Sequence, residues 1–107
     1  MSRQSQRLVQ IDDRLRELDG IIQHLHEREN QIQEMLNLIA EVSNDAQAQV
    51  SRSASSSTRR RARGEVVGIQ ERKTGYENTI VEIREAIQRY YLELNALQQE
   101  RWRLAQK

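Results

Sequence analysis

The chain carries two long runs in which apolar residues recur at alternating spacings of three and four. The first is Leu8, Ile11, Leu15, Leu18, Ile22, Leu25, Glu29, Ile32, Leu36, Ile39, Ser43, Ala46 and Val50. With Leu8 as position a, these are the a and d positions of successive heptads, and eleven of the thirteen are apolar. The second, with Val66 as a, is Val66, Ile69, Lys73, Tyr76, Ile80, Ile83, Ile87, Tyr90, Leu94, Leu97, Arg101 and Leu104, of which ten of twelve are apolar. A mean spacing of about 3.5 residues is that of a left-handed coiled-coil seam, whereas a half-buried strand alternates every two residues. The pattern predicts an all-α chain, one domain over 1–107, with a first helix over about 4–50 and a second over about 65–106.

Residues 51–64 have no apolar period and are rich in serine and arginine. Serine hydroxyls compete for backbone groups and favour turns and caps over helix interiors. A loop is therefore expected over 51–64, with the arginine stretch able to join the start of the second helix. Gly64, Gly68 and Gly75 each cost a helix about 1 kcal/mol relative to alanine, so a break is expected near Thr74 and Gly75.

Two helices of similar length joined by a short loop pack antiparallel, with a positions facing d positions of the other helix. This gives a long coiled-coil-type helical hairpin. Two registers satisfy the rule. In one, facing residue numbers sum to 112, which sets Leu15 against Leu97 and Leu25 against Ile87. In the other they sum to 119, which brings Glu29 near Tyr90 and Ser43 near Tyr76.

Composition agrees with this reading. The chain has no proline, cysteine or phenylalanine, and its aromatic residues are Tyr76, Tyr90, Tyr91 and Trp102. Proline breaks helix interiors, so its absence suits a mostly helical chain. Without cysteine there are no disulfides, thiolate–zinc sites or thiol nucleophiles. No run approaches the roughly 18 apolar residues of a membrane span, and no apolar signal core follows Met1. A cytoplasmic protein is expected.

A single two-helix seam buries one stripe on each helix, yet apolar residues also lie outside the seam. In the first helix Ile21, Met35 and Val42 occupy g positions and Leu38 a c position. In the second, Val67, Val81 and Trp102 lie at b, Tyr91 at e and Leu92 at f. Widened stripes of this kind suit a three- or four-helix environment. Completion to a bundle is expected, by a homodimer of hairpins or by a protein partner. Ile21, Met35, Leu38, Val42, Val81, Tyr91, Leu92 and Trp102 are the candidate protein-interface residues.

Four polar residues interrupt the seams: Glu29, Ser43, Lys73 and Arg101. Buried polar seam residues can fix register or partner at a cost in stability. Alternatively, the long stems of Lys73 and Arg101 carry their charges out to solvent. His24 and His26 are two residues apart and diverge by roughly 200° around a helix, so they do not form a two-ligand metal face. Acidic residues are spread along solvent faces, with no phosphate-binding glycine loop and no nucleophile motif. No catalytic, cofactor or metal site is expected.

The net charge of +1 is unevenly spread. Residues 51–64 contain five arginines and no acidic residue. Arg59, Arg60, Arg61 and Arg63 are candidates for binding an anionic partner: nucleic-acid phosphates, an anionic membrane surface or an acidic protein face. The segment has no aromatic residue for base stacking, so any nucleic-acid binding would be independent of base sequence.

In size and hairpin shape the chain is similar to the short helical-hairpin proteins of specialised secretion systems. It departs from the Trp-x-Gly turn of one such family, because its turn is rich in serine and arginine and its tryptophan is Trp102. It also shares the helix–insert–helix length of prefoldin-like chaperones, without a recognisable β-hairpin insert in residues 51–75. Two functions are carried forward. The leading one is a non-enzymatic interaction module: scaffold, assembly chaperone or adaptor. The alternative is a nucleic-acid-associated protein acting through Arg59–Arg63.

Overall fold

The structure is a computed structural model that describes residues 2–52 and 56–106. These residues form two helices, α1 (Arg3–Arg52) and α2 (Ser56–Gln106), arranged as an antiparallel helical hairpin. Ser2 caps α1: its Oγ accepts a hydrogen bond from the Ser5 amide at 3.1 Å. That satisfies one of the amide donors left without an intrahelical partner at a helix start. Arg52 in the last turn of α1 and Arg103 in the last turn of α2 place positive charge at the negative ends of the helix dipoles.

The boundaries differ from the sequence expectation around the turn. Helix α2 begins at Ser56, so residues 56–64 belong to it rather than to a loop. The rest of the expected loop is likewise reduced, because Ser51 and Arg52 close α1, while residues 53–55 lie outside the described residues. The reason is composition: arginine and alanine are good helix formers, and Arg59-Arg60-Arg61-Ala62-Arg63 outweighs the serines before it. The expected break near Gly75 is also absent, and α2 runs through it. Here the hydroxyls of Thr74 and Thr79 donate to the carbonyls of Gln70 and Gly75, both at 3.0 Å, bonding back along an unbroken helix.

Contacts divide the chain into two compact units. Unit one is Met1–Arg28 with Ile83–Lys107, and unit two is Glu29–Glu82. In unit one the core is Ile11, Leu18, Ile22, Ile83 and Ile87, with Ile11 and Leu18 fully buried. In unit two it is Ile32, Ala46 and Ile80, together with the buried Ser43. Among the described residues, all nine that are buried occupy a or d positions, so the heptad seam is the core. Burying a Leu or Ile side chain contributes roughly 2 kcal/mol.

Register is settled in unit one by polar contacts across the helices. Arg7 pairs with Glu100 and Arg14 with Glu93. Arg101 bonds Asp12, and the His26 ring lies beside Tyr91. The Gln4 side-chain amide donates to the carbonyl of Leu104. These pairs sum to between 107 and 117, straddling 112. A register of 119 would separate Arg7 from Glu100 by roughly 18 Å along the axis, at 1.5 Å per residue. In unit two, Ile32 and Ile80, which also sum to 112, are both buried. Among the described residues, no helix is long and apolar enough to cross a membrane.

Candidate interaction faces

The seam is incomplete as a core. Of the twenty apolar seam residues whose burial is described, eight are buried and twelve are only half-buried. The half-buried set includes Leu15, Leu25, Leu94 and Leu97 in unit one, and Leu36, Ile39 and Ile69 in unit two. One partner helix covers one side of each such side chain, and the other side stays in contact with water.

The flanks of the seam differ in chemistry. On the g flank of unit one, Arg7 grips Glu100 through Nε and Nη2, with Nε donating to Oε2 at 2.9 Å and Nη2 to Oε1 at 3.0 Å. One heptad on, Arg14 donates from Nε to Glu93 Oε2 at 2.6 Å and from Nη2 to Oε1 at 3.0 Å. Arg14 also reaches Glu17 at 3.0 Å. The hydrogen bonds from Arg14 hold the Glu93 carboxyl below the ordinary carboxylate range. The bonds to Glu93, and then to Glu17, raise the Arg14 guanidinium in turn. The next residues in this ladder are Ile21 and Ala86. They line a shallow groove with Gly20, His24, Leu25 and Tyr90, and its rim carries Arg16 and Glu17. The ladder thus changes from charged clamps to an apolar opening at Ile21.

In unit two, Met35, Leu38 and Val42 stand at i, i+3 and i+7 on α1 and are all exposed. That spacing places them on one helix face. Val81 is exposed on α2 of the same unit. In unit one the exposed large apolar residues are Leu92 at 70%, Trp102 at 65%, Tyr91 and Val9. Part of Tyr91 is occupied: its hydroxyl lies 3.5 Å from His26 Nε2, and the two ring centroids are 6.3 Å apart. Seven of the eight candidate interface residues are therefore exposed, while Ile21 is half-buried in the groove wall. Val9 in unit one and Val67 in unit two are further exposed apolar residues at b positions.

The four polar seam residues separate into different environments. Ser43 is buried and Glu29 half-buried. Lys73 is exposed and lies 3.8 Å from Glu77 one turn on. Arg101 is exposed, and its Nε donates to Asp12 Oδ1 at 2.7 Å. The long cationic stems therefore lead outward, and Ser43 alone of the four is buried. No side-chain nitrogen or oxygen buried among the described residues lacks a hydrogen-bond partner.

No known protein family, curated protein or solved structure matches this chain. Among the described residues, no three His, Cys, Asp or Glu side chains come close enough to hold a metal ion. Arg59, Arg60, Arg61 and Arg63 all lie exposed on the first turns of α2, so they occupy fixed helical spacings rather than a loop.

Proposed function

We propose that the chain is a non-enzymatic protein–protein interaction module, of the scaffold, assembly-chaperone or adaptor kind. Its hairpin is completed to a helical bundle by a second copy or by a partner's helices. The observation that carries this reading is the combination of a half-buried seam with the exposed Met35, Leu38 and Val42 stripe. Further helices laid along the hairpin would cover both at once. Covering half-exposed leucines returns about 25 cal/mol for each Å² of apolar area removed from water.

Mass by light scattering, followed by melting over a hundredfold dilution series, tests the proposal. A dimeric mass and a melting temperature that falls on dilution are expected for self-assembly. Replacing Met35, Leu38 and Val42 together by glutamine should then reduce the mass to that of a monomer while leaving the chain helical. A monomer with dilution-independent melting, which also captures no partner from its host through this stripe, would overturn the reading.

A further inference from the structure

The interaction-module reading leaves unused the arginine-rich start of α2. Arg59, Arg60, Arg61 and Arg63 fall within the first eight residues of this helix and are exposed. At about 100° per residue, Arg63 lies roughly 40° around the axis from Arg59, Arg60 roughly 100° and Arg61 roughly 200°. The guanidinium groups thus leave the helix over more than half its circumference.

This is the reverse of the usual arrangement. Helix starts carry partial positive charge and favour acidic residues, whereas α2 has none in its first turn. Arg59 and Arg63, one turn apart, add like-charge repulsion. Backbone and side chains build the same positive field here, and that field favours an anion.

We propose that this segment binds the phosphate backbone of duplex DNA irrespective of base sequence. A helix in the major groove, about 12 Å wide, has phosphate walls on both sides, which matches cations spread around the axis. A bilayer meets one side of a helix and rewards buried apolar side chains, and residues 51–64 contain no apolar residue larger than alanine. The lack of aromatics removes the stacking platform that single strands require. The major groove of duplex RNA is too narrow to admit the side chains. The exposed Ser56 hydroxyl at the helix start is a further donor of the kind that contacts phosphates.

The test is fluorescence anisotropy of the full chain with two unrelated labelled DNA duplexes of about 20 base pairs. Equal affinity for both is expected. Four phosphate contacts, each contributing a salt slope of about 0.9, should weaken binding on the order of 100-fold between about 50 and 200 mM salt. Replacing all four arginines by glutamine should remove that binding, and replacing them by lysine should keep most of the slope. Circular dichroism checks that each variant is helical; if the glutamine variant is not, the lysine variant and the wild-type slope decide. Four outcomes overturn the proposal: no duplex binding at the lower salt, an unchanged slope in a folded glutamine variant, tighter binding to single strands or duplex RNA, or binding to phosphatidylserine vesicles without binding to DNA.

Discussion

Arg14 on α1 holds Glu93 on α2 in a two-pronged clasp, with bonds of 2.6 and 3.0 Å from adjacent guanidinium nitrogens to the two carboxylate oxygens. The pair flanks the buried seam of unit one and, with Arg7 and Glu100 one heptad away, fixes how α1 and α2 slide against each other. A slip of seven residues would break both pairs. The clasp therefore contributes to specificity of pairing as well as to stability.

The first prediction concerns pH. Hydrogen bonding to Arg14 lowers the Glu93 pKa in the folded chain below its ordinary value. A carboxyl of this kind stabilises the fold above the unfolded-state pKa of about 4.3, and the stabilisation is lost as pH falls through the folded value. Thermal melting followed at 222 nm from neutral pH to about pH 2.5 should fall more steeply for wild type than for Glu93→Gln. Both side chains are more than a third exposed, so the difference will be modest. Parallel pH profiles would show that the clasp is energetically silent.

Leu18 and Leu92 provide a second contrast, since the first is fully buried and the second 70% exposed. Leu18→Ala removes core packing and should destabilise by about 2–4 kcal/mol in urea unfolding. In the isolated hairpin Leu92→Ala should change stability by less than about 0.5 kcal/mol. A large cost at Leu92 would mean that another helix already covers it in solution.

How much of this was legible beforehand varies with position. The heptads predicted the hairpin, and every buried residue among those described falls on them. Their period leaves the choice between 112 and 119 open, because a seven-residue slip preserves every a–d match. The deciding signal sat beside the seam: Arg7 and Arg14 against Glu100 and Glu93 gives two attractive pairs in the first register. In the second, Arg14 would meet Glu100, but Arg7 would lie beside Lys107, so one attraction is traded for a repulsion. The arginines were legible as a possible start of α2, whereas the helical state of the serines around them was not, because serine's preference for turns is weak beside that of the helix formers next to it. The contact between His26 and Tyr91 depends on register, which the heptad period alone does not fix. The exposed apolar side chains were recognisable from their places outside a and d, but a stripe on a helix names no partner.

Trp102 offers a third prediction. It is the chain's one tryptophan and is 65% exposed, near Asn95, Gln99 and Arg103 on the outer face of α2. Its emission at low protein concentration should be that of a hydrated indole and should be readily quenched by iodide. If helices from another copy cover this face, emission will shift to the blue and quenching will fall as concentration rises. Emission that is already blue and shielded at nanomolar concentration would contradict the exposed placement.

The fourth prediction uses Gly75. It lies within α2, and beyond the adjoining backbone of its own helix a Cβ built there meets no atom within 4 Å. Glycine has greater backbone freedom to lose on folding than alanine and adds no side chain to the helix surface. Gly75→Ala should therefore stabilise the hairpin by about 0.5–1 kcal/mol and raise its melting temperature. The sign also carries information about assembly. In an isolated hairpin the added methyl group projects into open space and the gain is realised in full. In a bundle whose neighbouring helix approaches α2 closely at Gly75, the same methyl would clash and assembly would weaken. Comparing melting at high and low protein concentration separates the cases: a gain at both leaves this face free of close packing, whereas a gain on dilution with a loss at high concentration places another helix against Gly75.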